Sequence, residues 1–461
     1  MNLPFGEGTR SLTFLRVMND AEIAKMSSTR PDHVLIVGAG AAGLMACREL
    51  LRAGKRVTIL EARHRCGGRI YPLPTSEFGY AAEGGPEFIH GEAPQTRSLL
   101  REAGLKISPI EGVRWNVRDG IFSKADATGP DTDGLFQILS ELESDLSVLE
   151  LIERHFSGKQ HDELRRVILR MVEGYDAADP ARASAFGLRD EWVGRGLGNH
   201  GRVVGGYGAL IEFLASQCRG LGASMQLGLP VKAIERNAGG ITARCIDGRT
   251  YKGDAAIIAV PLPLLSAIEL PRPAQQKAAM TTGMGFGNVV KFLLRFTARW
   301  WVTGGGKDLT DLSFLFTDLA IPTWWTQYPS EYPVLTGWLS GSRIQTVMHL
   351  DETKLVEFAV SSLAKAFEVA EADLKRNLVS ARAINWANDP FAQGAYSYVT
   401  LETRKIQSLL RGSNGDDVFF SGEALYQGRD VGTVEAALAS GLETARSLLA
   451  ARQRVAGPTR M

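Results

Sequence analysis

The chain has 461 residues, with 52 Lys+Arg against 51 Asp+Glu, a formal charge of +1 and 44% hydrophobic residues. That length supports two or three domains around a large core, and the balanced charge lacks the basic surplus of a nucleic-acid or anionic-membrane binder. Four scattered cysteines, Cys47, Cys66, Cys218 and Cys245, form no CxxC pair, and no apolar run reaches the ~18 residues of a membrane span.

These exclusions point to a reducing, cytoplasmic setting without structural zinc, a disulfide framework or any other metal site. Residues 1–30 lack a signal-peptide core and read as an extension, with Met26 an alternative start. The first ordered unit is expected over 31–70. Val34 to Val37 is a short apolar strand that runs into Gly38-Ala39-Gly40-Ala41-Ala42-Gly43. A helix follows from Leu44 to Ala53, then a second strand, Arg56 to Leu60, closed by Glu61. Strand, glycine turn, helix, strand and acid in this order are a dinucleotide fingerprint. Gly38 permits the tight turn, Gly40 lets backbone approach a pyrophosphate, and Gly43 lets the helix pack on its strand. The helix N-terminus, with Ala42 in its first turn, offers unpaired N–H groups and positive dipole to phosphates. Glu61 can accept both ribose hydroxyls, and its charge disfavours a 2′-phosphate.

The residues that follow narrow the cofactor. Glu61-Ala62-Arg63-His64-Arg65-Cys66-Gly67-Gly68-Arg69 resembles the E-A-x-x-R-x-G-G-R signature of flavin-dependent amine oxidases, such as monoamine and polyamine oxidases. The resemblance implies FAD, with the Gly68–Arg69 turn along its pyrophosphate; a guanidinium matches phosphate geometry. Glu83-Gly84-Gly85-Pro86-Glu87-Phe88-Ile89-His90-Gly91 resembles the family's second flavin contact, with Gly85, Pro86, Glu87 and Phe88 against the ring. His90 matches a histidine of the polyamine oxidases.

A helix is expected over 95–104. Residues 134–175 carry apolar positions at helical spacing (Leu135, Ile138, Leu139, Leu142, Leu146, Leu149, Ile152). Gly205–Gly208 opens a helix over 209–217. Val231 to Glu235 and Ile241 to Ile246 read as strands, with Asp247-Gly248 a hairpin turn. The buried strand Ala255 to Val260 leads to Pro261. The resemblance places the Val231 backbone against the adenine. In Asn288–Phe296, strand alternation puts Val290, Phe292, Leu294 and Phe296 on one face and Lys291 on the other. Spacing alone leaves Lys291 solvent-facing; the resemblance makes it the lysine that serves flavin N5 through a water.

Trp324, Trp325, Tyr328 and Tyr332 form an aromatic cluster, suited to a substrate entry or to a core. An amphipathic helix is expected over 351–369. Asn385-Trp386-Ala387-Asn388-Asp389-Pro390 and Gly394-Ala395-Tyr396-Ser397 resemble the family's W-x-x-D-P…G-x-Y-S block. That assigns Trp386 to the cofactor and Tyr396 to one wall of the substrate cage. Ala395 stands where mammalian monoamine oxidases carry the cysteine that bonds the flavin, which implies non-covalent FAD. The last strand is Val418–Phe420. Gly422-Glu423 and Thr433-Val434 resemble the closing cofactor contacts, and a helix over 433–452 would aim its N-terminus at the flavin. Thr433 replaces the second cage tyrosine, so that wall is open or supplied by another residue, such as Tyr426.

The resemblance covers nearly all of residues 31–452. It implies an α/β fold: a Rossmann-like FAD domain (31–95, 201–270 and 410–455) interleaved with an α+β substrate domain (96–200 and 271–409). The implied activity is oxidation of a small amine to an imine with dioxygen as acceptor, releasing peroxide. Lys291, Tyr396 and His90 are the implied catalytic groups. The tail Ala451–Met461 is polar and lacks the anchoring helix of mitochondrial relatives. A homodimer is compatible with this reading. An amino-acid oxidase, a biosynthetic oxidase or desaturase, and a flavin-binding module with little turnover remain alternatives.

Overall fold

A computed structural model describes residues 33–125, 132–192, 200–411 and 417–455. The extension 1–30, the alternative start Met26 and the tail beyond residue 455 lie outside these.

The fingerprint builds the centre of a five-stranded parallel sheet. Its order is Val418–Phe420, Ala255–Ile258, His33–Val37, Arg56–Leu60, Ser224–Gln226. Val34 to Val37 pair with Ala255 to Ile258 on one side and Val57 to Leu60 on the other. Both faces of the central strand are buried, which explains its unbroken apolar run. The helix Ala41–Arg52 packs beneath the last helix, Val434–Val455, and beside Gly206–Gly220. A Cβ on Gly43 would stand 2.0 Å from the Gly38 carbonyl oxygen, so only glycine lets this helix sit so close to its strand. A small antiparallel sheet, Val231–Asn237, Gly240–Cys245 and Thr250–Gly253, attaches here, and the turn at Asp247–Gly248 is where the sequence puts it.

The second layer is a seven-stranded sheet ordered Leu378–Asn385, Val289–Phe296, Val334–Ser340, Thr323–Trp325, Leu312–Thr317, Val113–Arg118, Ile121–Lys124. All its pairs are antiparallel except Leu312–Thr317 with Val113–Arg118. The helix Glu352–Phe367, expected over 351–369, covers one face, capped by the Asp351 carboxylate on the Lys354 N–H.

The stretch read as one helical pattern over 134–175 is broken into Thr132–Glu141, Val148–His155, Asp162–Leu169 and a π-helical segment, Arg170–Tyr175. A capping box at Ser147 and Glu150 restarts the chain within the pattern. Leu135, Leu139, Leu146 and Ile152 are buried as expected, but Leu149 is 40% exposed, because the break rotates it off the apolar face.

Candidate active site

One cavity of about 1250 Å³ runs from the fingerprint into the second layer. Among the expected cofactor residues it is lined by Gly38, Gly40, Ala42, Glu61, Ala62, Arg63, Gly68, Arg69, Gly85, Pro86, Glu87, Phe88, Val231, Trp386, Gly422, Glu423, Thr433 and Val434. Lys291, Tyr396 and His90 line it as well. Gly43 does not, since its task is packing behind the turn.

The nucleotide end is built from backbone. Gly38 has φ +104 and donates to the Leu60 carbonyl at 2.8 Å; a Cβ there would meet the Ala259 carbonyl oxygen at 2.8 Å. In front of Gly40 there is open space, with no atom within 4 Å of a built Cβ. Glu61 is buried, and its two carboxylate oxygens accept the Ala39 N–H at 2.7 Å and the Arg63 N–H at 2.8 Å. Burial pushes its carboxyl up, while those two N–H donors and Arg63 pull the other way. The glycine turn is held by Gly67 N–H on the Ala39 carbonyl (2.9 Å) and by Arg65, whose guanidinium donates to the carbonyls of Cys66, Gly68 and Ile70.

Two arginines are held by carboxylates. Arg63 makes a forked pair with Asp389 at 2.5 and 3.0 Å, tying the fingerprint to the Trp386–Pro390 block. Arg69 donates to Glu423 at 2.8 Å and to the Ala395 carbonyl at 2.7 Å, and Ser397 donates its hydroxyl to the other Glu423 oxygen. Thr433 accepts the Ala436 N–H at 3.1 Å, which caps the last helix where it reaches the cavity. An open glycine cradle, a buried carboxylate acceptor and two helix N-termini at one cavity fit a dinucleotide such as FAD.

Lys291 is fully buried, so the solvent-facing reading fails. Its ammonium donates to the Gly85 carbonyl at 3.1 Å and to Glu87 at 3.0 Å, and lies 5.4 Å from the Trp325 ring centre. Glu87 also accepts from Arg202 (2.9 Å), Gln327 (2.9 Å) and the Trp325 indole N–H (3.1 Å). Burial alone would raise the Glu87 carboxyl; Lys291 and Arg202 outweigh it and hold it down at about 2. An anion with two cations keeps every charge paired in a place where an unpaired one would be costly. Arg202, Trp325 and Gln327 reach this network from two strands and a loop remote in sequence, so no local pattern marks them for it.

Beyond Lys291 the cavity wall is aromatic. Tyr396 and Trp338 rings lie nearly parallel, 24° apart with centroids at 6.3 Å. Both are fixed by the π-helical segment: Tyr396 donates to the Tyr175 carbonyl at 2.5 Å and Trp338 to the Gly174 carbonyl at 2.8 Å. Burial raises the Tyr396 phenol far above its usual range, and the nearby charges of Asp176 and Glu191 add to this, so it stays neutral. Trp338 lines the cavity beside Tyr396. Tyr426 is not among the cavity residues; its ring lies against Gly428. Of the aromatic cluster, Trp325 lines the cavity, Trp324 is core, and Tyr332 stacks on Tyr80 at 4.8 Å. His90 meets the Tyr175 hydroxyl at 2.8 Å and His200 at 3.3 Å.

A family profile described as flavin containing amine oxidoreductase matches residues 41–119 and 137–449. Polyamine oxidase 4 of Oryza sativa subsp. japonica is 28% identical over 451 residues, covering 90% of this chain and 88% of its own. Lysine-specific histone demethylase 2 of Homo sapiens is 26% identical and covers 90% of this chain, which spans 53% of that protein. The solved structure of cyclohexylamine oxidase from Brevibacterium oxydans superposes with a TM-score of 0.75 at 20% identity, covering 92% of this chain and all of its own. At that identity the structure attests the shared fold.

Proposed function

The chain belongs to the flavin-containing amine oxidoreductases, and from that premise we propose that it oxidises a small amine at the buried junction of Lys291, Tyr396 and Trp338. The observation that carries this reading is a single cavity that joins the dinucleotide cradle to a fully buried lysine and an aromatic wall. When bound, FAD supplies two-electron acceptance from the amine's α-carbon and passage of those electrons to dioxygen as peroxide. The imine left behind is hydrolysed by water to an aldehyde or ketone.

The chain's own groups prepare that step. Glu61 holds the adenosine ribose, and the N-termini of Ala41–Arg52 and Val434–Val455 bring positive dipole to the cofactor. Lys291, fixed by Glu87 and the Gly85 carbonyl, supplies a positive charge and an N–H donor where electron density gathers. Tyr396 and Trp338 strip water from an entering ammonium, which opposes the hold of Asp176 and Glu191 on its charge, and the amine sheds its proton before reacting. His90, with Tyr175 and His200, is the polar group on this side suited to accept that proton. Ala395 leaves the flavin without a sulfur to bond, and we therefore read the FAD as non-covalent. Four free thiols support a reducing, cytoplasmic location.

Oxygen uptake with a panel of primary and secondary amines tests the reading. At least one amine should drive uptake with an equal amount of peroxide, and acid precipitation should release the yellow chromophore into the supernatant. Uptake with none of them, or colour retained in the pellet, contradicts the oxidase and the non-covalent cofactor respectively.

A further inference from the structure

The cavity continues outward from the cage along a run of aromatic rings. Phe88 lies 5.5 Å from Trp325 and 5.8 Å from Phe314, and Phe314 stacks on Phe316 at 6.2 Å and 10°. The outer rings carry guanidinium groups. Arg114 sits 5.8 Å from the Phe314 ring centre, and Arg170 4.9 Å from that of Phe316. The register explains this: Arg114 is paired with Phe314 across the one parallel strand pair, and Arg170 opens the π-helical segment above it.

Neither cation has an acid in contact among the described residues; Glu163 and Asp318, both held by Arg118, act on Arg170 only from farther off. Arg118, the next cation along the same strand face, is held by Glu163 at 2.9 Å and Asp318 at 3.2 Å. Arg114 and Arg170 make no side-chain hydrogen bond or ion pair with any described residue, and Arg170 is half-buried on the cavity wall. A partly desolvated guanidinium with its fork unfilled is a receptor for a planar anion. Towards the cage the sign reverses, with Asp176 and Glu191 lining the cavity near Tyr396. Five residue steps of the segment, roughly 7–8 Å along its axis at about 1.5 Å per residue, separate Arg170 from Tyr175, whose carbonyl anchors Tyr396.

We propose that the substrate is an amine with a distal carboxylate, an ω-amino acid, whose amine enters the cage while its carboxylate is held by Arg170, with Arg114 beside it. This rests on the amine-oxidase reading and gives it a substrate class. The outer guanidinium groups reject a second ammonium, so a diamine is the poorest substrate of matched length. An α-amino acid places its carboxylate too near the reacting nitrogen to reach Arg170.

The test compares ω-aminopentanoate, pentylamine and cadaverine as substrates of the holoenzyme and of Arg170→Gln. The wild type should give the highest kcat/KM with ω-aminopentanoate and the lowest with cadaverine. Arg170→Gln should reduce the ratio of kcat/KM for ω-aminopentanoate over pentylamine by at least tenfold, or ~1.4 kcal/mol. A wild-type preference for cadaverine, or an unchanged ratio in a folded variant, overturns the proposal while leaving amine oxidation intact. Should none of the three be oxidised, the amine-oxidase reading is what fails for this class. Calorimetric binding of ω-aminopentanoate to both proteins then decides the anion site: binding lost in Arg170→Gln supports it, and no binding or equal binding overturns it.

Discussion

At the scale of single residues, two acids four positions apart, Glu83 and Glu87, are driven in opposite directions, the first carboxyl up and the second down. Glycine spacing at Gly38, Gly40 and Gly43 is legible because each glycine answers a local backbone demand. Lys291 is not legible from alternation, which treats one face of a strand as wet; here both faces of Val289–Phe296 are covered. Glu87 reads as a backbone neighbour of the flavin, yet its carboxylate gathers Lys291, Arg202, Trp325 and Gln327 from across the second layer. A second buried acid, Glu83, differs in kind. Its Oε1 accepts the Gly208 N–H at 2.7 Å, while Oε2 has no partner among the described residues. Burial raises its carboxyl from the ordinary 4.5 to about 7, against the pull of Gly208 and Lys291. For an acid raised on folding, the folded chain holds the proton more tightly than the unfolded one. Its contribution is therefore complete below about pH 4.5 and is lost as pH rises through about 7. Glu83→Gln should flatten the fall in denaturation midpoint between those values, a difference on the order of 3 kcal/mol. Parallel pH profiles of variant and wild type would remove Glu83 from this role.

At the scale of elements, the parallel sheet, its glycine turn and the terminal helix follow from local pattern, because periodicity and turn chemistry coincide there. The insertion over 132–192 is harder. Its apolar spacing is helical throughout, but the π-helical segment depends on what the neighbouring strand Val334–Ser340 presents. Trp338 and Ser340 donate to carbonyls of Glu173 and Gly174, and these bonds give the segment partners outside its own helix. A similar remote dependence caps Pro94–Glu102. Its N-cap residue, Ala93, has no side-chain acceptor, and Glu435 of the last helix takes the Gln95 N–H (2.9 Å), the Thr96 N–H (2.8 Å) and the Thr96 hydroxyl (2.8 Å). Glu435→Ala should lower stability by about 1.5–3 kcal/mol, the worth of hydrogen bonds to a charged acceptor. A urea midpoint equal to that of the wild type would show that water replaces the cap without loss.

At the scale of the whole molecule, function depends on bringing two sheets to one cavity. The Arg63–Asp389 pair and the Arg69 bond to the Ala395 carbonyl each span more than three hundred residues of chain and fasten the nucleotide end to the substrate layer. Family motifs in chain order make this interleaving legible; the outer guanidinium groups, the Glu87 hub and Trp338 emerge only when the strands are in register. Among the described residues no helix is long and apolar enough to cross a membrane. The central claim is that Lys291 serves the flavin from inside this shared cavity. Anaerobic stopped-flow mixing of a substrate amine with FAD-loaded wild type and Lys291→Met, followed by reoxidation with dioxygen, tests it most directly. The variant should fold and hold FAD, but flavin bleaching, reoxidation or both should slow at least about tenfold, or ~1.4 kcal/mol. Wild-type rates in both half-reactions would contradict the account and reduce Lys291 to a structural partner of Glu87.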